Sequence, residues 1–165
     1  MSTVTLVAKG GEEVQVNSEV AQLSKLVKDA LEGDEGEEAI ELGDIEKCHL
    51  EKVVAFMTHL HSQPGHALPT IPAPITADKF EDAIGDQWSV QFVEDLTKND
   101  LFAVALAANK LDCKPLLDLT SARLAFECKD KDINGLREVF QIENDFTPEE
   151  EAQVAEEIKT AHEIL

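Results

Sequence analysis

The chain has 165 residues, of which 43% are hydrophobic, so it is long enough and apolar enough to fold around a core. Its 14 basic residues stand against 34 acidic ones, and the formal net charge is −20. Such a surface repels nucleic-acid phosphates and anionic lipid, so we expect neither as a partner, and it attracts basic protein surfaces.

The chain opens with a predicted β-hairpin. Residues 4–8 and 14–16 alternate apolar and polar side chains on either side of Gly10 and Gly11. Two alternating runs separated by glycine are typical of paired strands joined by a tight turn. Residues 39–42 form a further short strand candidate, after an acidic loop over residues 33–38. With the intervening helix, the predicted start is β-β-α-β.

That intervening helix is predicted from apolar residues spaced three and four apart, with Asn17 or Ser18 as its cap. The spaced residues are Val20, Leu23, Val27 and Leu31. Asp44 is predicted to open the next helix. Its inward residues are Ile45, Cys48, Val53, Phe56, Met57 and Leu60.

A change in composition follows, because four of the six prolines fall between residues 64 and 74. Proline lacks a backbone donor and restricts the residue before it, so this segment is predicted to be an extended, mobile connector. Beyond it the pattern is helical to the end. A helix start is predicted at residues 147–150, with Thr147 as cap, Pro148 in the first helical position and Glu150 completing a capping box. One stripe of this last helix contains Val154, Ile158, Ala161 and Leu165.

The helices between residues 98 and 128 carry apolar residues on more than one face. These residues are Leu101, Phe102, Ala105 and Leu106, then Leu116, Leu117, Thr120 and Leu124. A helix with two apolar faces must bury both, and in a small chain the second face meets another protein. The sequence contains no recognisable catalytic motif. We therefore predict a partner-binding adaptor and not an enzyme.

The three cysteines, Cys48, Cys113 and Cys128, lie far apart in apolar helical contexts. They are predicted to be buried free thiols of a reducing compartment, so we expect a cytoplasmic and nuclear protein. The N-terminus has no secretory signal pattern, and no apolar run approaches the roughly 18 residues of a membrane helix.

Two metal-site patterns have structural alternatives, and no metal or other cofactor is expected. Residues 130–141 resemble a calcium loop, but Gln141 stands where a bidentate glutamate is needed, and Arg137 is a cation close to the ion. The alternative is a polar turn in which Asp132 or a neighbour caps the next helix. His59, His61 and His66 would need a fourth ligand to bind zinc, and exposed histidines at a helix end are the alternative.

Three motifs in order resemble those of the S-phase kinase-associated adaptor family, whose members link F-box proteins to the cullin scaffold of SCF ubiquitin ligases. The motifs are L-A-A-N-x-L-D at 106–112, L-L-D-L-T at 116–120 and F-x-I-x-N-D-F-T-P-E-E-E at 140–151. Trp88 and Phe92 match the family's W-x-x-x-F segment. Elongin C is a relative that shares the first motif but ends there, whereas this chain continues.

The resemblance implies an α/β fold, in which a BTB/POZ-like core (a small sheet with helices) precedes a helical C-terminal extension. The N-terminal part of the core would span residues 1–63, and the proline-rich connector residues 64–79. The remaining core helices would span residues 80–112, and the F-box-binding extension residues 113–165.

The resemblance also implies two binding surfaces. Matching positions place a cullin contact at Asn109 and Lys110. They place F-box contacts at Leu117, Thr120, Leu124, Cys128, Phe140, Ile142 and Ile158. The family has an aromatic residue where this chain has Lys110, which would weaken or alter cullin docking. It also has a tryptophan near the end where this chain has Thr160, which would weaken the last part of the F-box contact.

The predicted function is therefore that of an SCF adaptor. The alternatives are an F-box-binding adaptor outside any cullin ligase and, less favoured, a calcium sensor built on residues 130–141. Some relatives modify the proline at the position of Pro148, but its role as a helix starter is the favoured interpretation. The free protein could form a homodimer.

Overall fold

The computed structural model describes residues 2–33 and 39–164, with side chains described as far as Ala161. The predicted acidic loop lies largely outside these residues. The chain divides into two compact units, Met1–Phe126 and Glu127–Leu165. The domain boundaries implied by the resemblance stay predictions.

The first unit is built on a three-stranded sheet. Strands β1 (Thr3–Val7) and β2 (Glu13–Asn17) pair antiparallel, and β3 (Ala39–Glu41) pairs parallel to β1, giving the order β2-β1-β3. The alternation that predicted the strands turns Val4, Leu6 and Val16 into the core. The turn between β1 and β2 places Gly10 and Gly11 at a φ of +81°, the left-handed region that glycine tolerates without strain. The predicted hairpin and third strand are confirmed.

The single helix predicted after the hairpin is wrong, because two helices occupy that segment. They are α1 (Ser18–Ala21), capped by Asn17, and α2 (Lys25–Glu32), capped by Ser24. The Ser24 hydroxyl accepts a hydrogen bond from the backbone of Val27 and donates one to the carbonyl of Leu111. This second bond joins residues 87 positions apart, so a helical repeat in the sequence could not reveal the break.

Helix α3 (Lys47–Ser62) begins later than predicted, and Asp44 is not its cap. Leu50, Val53, Met57 and Leu60 form its buried face, with Phe56. Cys48 is exposed, which corrects its predicted inward position. It precedes Leu50 by two residues and therefore points about 200° away around the helix.

The proline-rich segment has a short 3-10 turn at Pro64–His66 and no regular structure over residues 67–79, and its mobility stays a prediction. It borders a surface cleft of about 720 Å³ against the helix that begins at Lys114. Leu68, Ile71 and Ile75 are half-buried and anchor the segment to the core.

Four helices complete the first unit's packing: α4 (Phe80–Ile84), α5 (Gln87–Glu94), α6 (Lys98–Lys110) and α7 (Lys114–Cys128), the last crossing the division between the units. Helices α6 and α7 pack into the core that the sheet and α3 share. Their buried side chains there include Leu101, Val104, Leu116 and Leu119. No helix among the described residues is long and apolar enough to span a lipid bilayer.

The second unit contains α8 (Ile133–Phe140) and α9 (Pro148–Ile164). Asp132 caps α8 by accepting a hydrogen bond from the Gly135 backbone at 2.8 Å. The helix-capping alternative for residues 130–141 is thereby confirmed. Thr147 and Glu150 form the predicted capping box of α9.

The three cysteines are free thiols, but they are not all buried as predicted. Cys113 is buried in the core, and burial raises the pKa of its thiol to about 11. Cys128 is half-buried and Cys48 is exposed.

Candidate protein-binding surfaces

The second unit leaves most of its large apolar side chains in contact with solvent. Seven such side chains are exposed among the described residues, and five of them belong to this unit: Ile133, Phe140, Ile142, Phe146 and Ile158. Within the described part of residues 127–161, only Val139 is buried. Exposed apolar side chains gathered in one 39-residue unit are typical of a protein-binding surface.

Ile142 and Phe146 lie on the segment between α8 and α9, which polar side chains hold in place. The Asn144 amide donates to Glu151 at 2.6 Å, and its oxygen accepts from the Phe146 backbone at 3.3 Å. At the other end, the Ile142 backbone donates to the carbonyl of Arg137 at 2.9 Å. The connection is therefore fixed at both ends, while Ile142 remains 59% exposed.

Arg137, a residue of α8, connects this helix to the same segment. Its guanidinium carbon lies 5.5 Å from the centroid of the Phe146 ring, and its Nη1 lies 3.8 Å from Glu151 Oε1. The Phe146 ring is thus covered on one side by a cation and is still 47% exposed. Sequence reasoning did not single out Phe146 as a contact residue, although the motif that contains it was the available signal.

The start of α9 explains the T-P-E-E part of that motif. The Thr147 backbone donates to Glu150 Oε2 at 2.8 Å, and the Glu150 backbone donates to Thr147 Oγ1 at 3.3 Å. These hydrogen bonds, that of the Thr147 backbone foremost, lower the pKa of the Glu150 carboxyl. Pro148 occupies the first helical position, where its missing N–H costs nothing, and is exposed.

The remaining predicted F-box contacts fall in both units. Phe140 and Ile158 are exposed in the second unit, where Cys128 is half-buried. Leu117 and Leu124 are half-buried against the core of the first unit.

Thr120 differs from these residues because it is fully buried. Its hydroxyl donates to the carbonyls of Leu116 and Leu117, at 2.9 and 3.1 Å. The hydroxyl is therefore satisfied within α7, and the side chain offers no surface to a partner in this conformation.

A second surface lies at the C-terminal end of α6. Leu106 is 71% exposed and lies one turn before Asn109, which is also exposed, and Lys110. The Lys110 ammonium donates to the Asp44 carboxylate in the loop before α3. This hydrogen bond, together with the positive charge, lowers the pKa of Asp44. The position where the family has an aromatic ring therefore carries an exposed ion pair.

Trp88 and Phe92, the matched W-x-x-x-F pair, belong to an aromatic stack with His59. The Trp88 ring lies 4.0 Å from the His59 ring and 5.2 Å from the Phe92 ring, centroid to centroid, nearly parallel to both. His59 Nε2 is 3.1 Å from Asp86 Oδ2, and only 13% of its side chain is exposed. The expectation that the histidines at this helix end are exposed is wrong for His59. Among the residues that the structure describes, no group of three or more potential ligands could hold a metal ion.

A small α/β unit with an added helical unit that exposes apolar side chains defines a protein-binding module. Models of the Skp1 family match in two places, the tetramerisation domain at residues 2–62 and the dimerisation domain at residues 114–161.

Curated relatives match along nearly the whole chain. An S-phase kinase-associated protein 1 homolog of Tetrahymena thermophila is 37% identical over 97% of this chain and 94% of its own length. The E3 ubiquitin ligase complex SCF subunit sconC of Neosartorya fischeri is 36% identical over 99% of this chain and all of its own length. The sconC subunit of Arthroderma otae is 36% identical over 94% of this chain and 92% of its own length. The chain belongs to the Skp1 family.

Proposed function

We propose that the chain is the adaptor subunit of an SCF-type ubiquitin ligase, linking F-box substrate receptors to the cullin scaffold. Two relatives along the full length carry the name of an SCF subunit. The observation that carries the proposal is the exposure of five large apolar side chains in Glu127–Leu165, because a family member needs such a surface only if a partner covers it.

The F-box module contacts the apolar side chains of this second unit. Ile142 and Phe146 are the central contacts, since both are exposed and both are held by the Arg137–Asn144–Glu151 network. Burial of apolar area contributes roughly 25 cal/mol per Å², less the cost of ordering the surface. Because the segment is already fixed, that ordering cost is small. Thr120 acts within the fold and does not contact the F-box.

The cullin docks on the other surface, formed by Leu106, Asn109 and Lys110. Leu106 supplies the apolar contact of this surface, since Lys110 stands where the family has an aromatic ring. Lys110 and Asp44 form an ion pair in this surface. Their charges cancel, so the docking surface is polar at that point but carries no net charge there.

The chain performs no chemistry of its own and acts through geometry. A receptor and a scaffold that bind the same protein are held in one complex, which raises the effective concentration of substrate at the site of ubiquitin transfer. Free thiols, one of them exposed at Cys48, suit a reducing compartment, and we assign the protein to cytoplasm and nucleus. Without an F-box partner, a second copy covers the same apolar side chains in a homodimer.

The second candidate is an F-box-binding adaptor outside any cullin ligase. The observation that favours it is the Lys110–Asp44 ion pair at the position of the family's aromatic residue. Both candidates share the F-box surface and differ only in whether the α6 surface is used.

Size-exclusion chromatography of the purified full chain with an F-box protein and a cullin separates these candidates. If the chain is an SCF adaptor, the chain, the F-box protein and the cullin elute as one ternary complex. The F-box protein and the cullin do not elute together when the chain is left out. An F-box complex that excludes the cullin supports the second candidate. Binding of neither protein overturns both.

A further inference from the structure

The two exposed apolar residues between α8 and α9 enclose two carboxylates. The segment reads Ile142, Glu143, Asn144, Asp145, Phe146, and every one of these residues is exposed. Residues 127–165 contain twelve acidic and four basic residues, so the whole unit is strongly negative. A partner that covers Ile142 and Phe146 must approach through that negative potential.

The carboxylates near this segment divide into two groups. Glu150 and Glu151 are used by the protein itself, in the capping box and in the bonds to Asn144 and Arg137. Glu143 and Asp145, by contrast, have no ion pair with any described residue. They flank the two apolar contacts directly, one residue from Ile142 and one from Phe146.

The cations of the unit do not offset these two carboxylates. Arg137, the nearest in the contact network, is directed at Asn134, Glu151 and the Phe146 ring, and only 17% of its side chain is exposed. A docking partner therefore meets two apolar side chains with unpaired negative charge beside each.

From this arrangement we propose that the surface selects F-box modules that carry Lys or Arg beside their apolar contact residues, with Glu143 and Asp145 as the selecting groups. The inference rests on the proposed function and names the chemistry of its partner. Rim charges of this kind act mainly on the rate of association and on its dependence on salt, and much less on dissociation. An F-box with acidic residues at those positions is disfavoured by like-charge repulsion.

The test uses the full chain and two recombinant forms of one F-box domain. One form has Lys or Arg beside its apolar contact residues, and the other has Glu at the same positions. Association is measured by stopped flow at about 0.05 M and about 0.5 M NaCl, between which screening removes most of the longer-range interaction. Glu143→Lys/Asp145→Lys is compared with Glu13→Lys/Glu94→Lys, which changes the net charge equally at exposed carboxylates of the first unit.

The expected result is an association rate for the basic F-box that falls about tenfold in the Glu143/Asp145 variant at low salt, with little change at high salt. The control variant retains most of the wild-type rate. The same Glu143/Asp145 variant binds the acidic F-box faster than the wild type does, which also shows that the variant is folded.

Equal slowing in both double variants would overturn the inference, because total charge would then account for the effect. Unchanged rates in both variants would overturn it as well. Failure of wild-type chain to bind either F-box form at low salt would instead overturn the proposed function, and the inference with it.

Discussion

The Arg137 guanidinium lies 5.5 Å from the centroid of the Phe146 ring and so joins α8 to the residue that precedes the capping box of α9. The same side chain donates to Asn134 at 3.0 Å and approaches Glu151. One cation thus holds an apolar contact residue in a defined position before any partner arrives. Preorganisation of this kind lowers the cost of binding.

Replacement of Arg137 tests that relationship. Arg137→Ala removes a cation–π contact of about 0.5–1 kcal/mol, and we expect F-box affinity to fall about two- to fivefold. The amides of Ile142 and Phe146 should exchange faster, measured by hydrogen exchange with mass spectrometry. Lys131→Ala, which removes an exposed cation of the same unit, should change neither quantity. An equal loss of affinity in both variants would show that F-box affinity depends on the net charge of the unit and not on the position of Arg137 beside Phe146.

The two proposed surfaces can be separated by one substitution on each. Ile142→Asp should weaken F-box binding at least tenfold, since burial of such a side chain contributes about 1.5–3 kcal/mol, and should leave cullin binding intact. Leu106→Asp should do the reverse. Both residues are exposed, so thermal stability should change by about 0.5 kcal/mol or less. Titration calorimetry with each partner provides the measurement, and loss of both partners in either variant would contradict the assignment.

Lys110 is expected to limit cullin affinity. Lys110→Tyr restores an aromatic ring beside Leu106 and should strengthen cullin binding by about tenfold, read by surface plasmon resonance. Lys110→Met serves as the control because it removes the charge and the bond to Asp44 without adding a ring. If the methionine variant gains as much affinity as the tyrosine variant, the charge is the limiting feature. No gain in either variant would show that the cullin does not use this position.

Asp86 makes part of the stability dependent on pH. Burial alone would raise the pKa of its carboxyl, but the hydrogen bond from Ser89 and the interaction with His59 outweigh burial and lower it. The folded state therefore favours the carboxylate, whose contribution is present above the unfolded pKa of 3.8 and is lost as pH falls through the lower folded value.

The expected outcome is that Asp86→Asn is less stable than wild type at pH 7, by about 1–2 kcal/mol, and that this difference shrinks as pH falls below 3.8. Asparagine keeps the capping oxygen of α5, so the change isolates the charge. Urea unfolding followed through Trp88 fluorescence measures it, because the chain has one tryptophan. Glu94→Gln, an exposed carboxylate of the same helix, is the control, and a difference of the same size in both variants would exclude a specific role for Asp86.

Local patterns predicted the elements whose stabilising contacts are themselves local. The hairpin about Gly10 and Gly11 and the capping box of Thr147 and Glu150 depend on residues within a few positions of one another. The strand at Ala39–Glu41 is the exception, because it pairs with β1 far earlier in the chain and was predicted from its alternation of apolar and polar side chains. The break between α1 and α2 was missed because Ser24 bonds to Leu111. His59 was misjudged because Asp86 and Trp88, which surround it, lie on another helix.

The same distinction holds for the binding surfaces. The sequence by itself determined the family resemblance, the acidic surface and the segment that carries Ile142, because these depend on residue identity and order. Only the tertiary structure decided which apolar side chains are open to a partner. It buried Thr120 within the core and left Leu106 and Phe146 exposed, and it paired Lys110 with Asp44. Helical periodicity assigns a side chain to a face, but exposure depends on what the rest of the chain packs against that face.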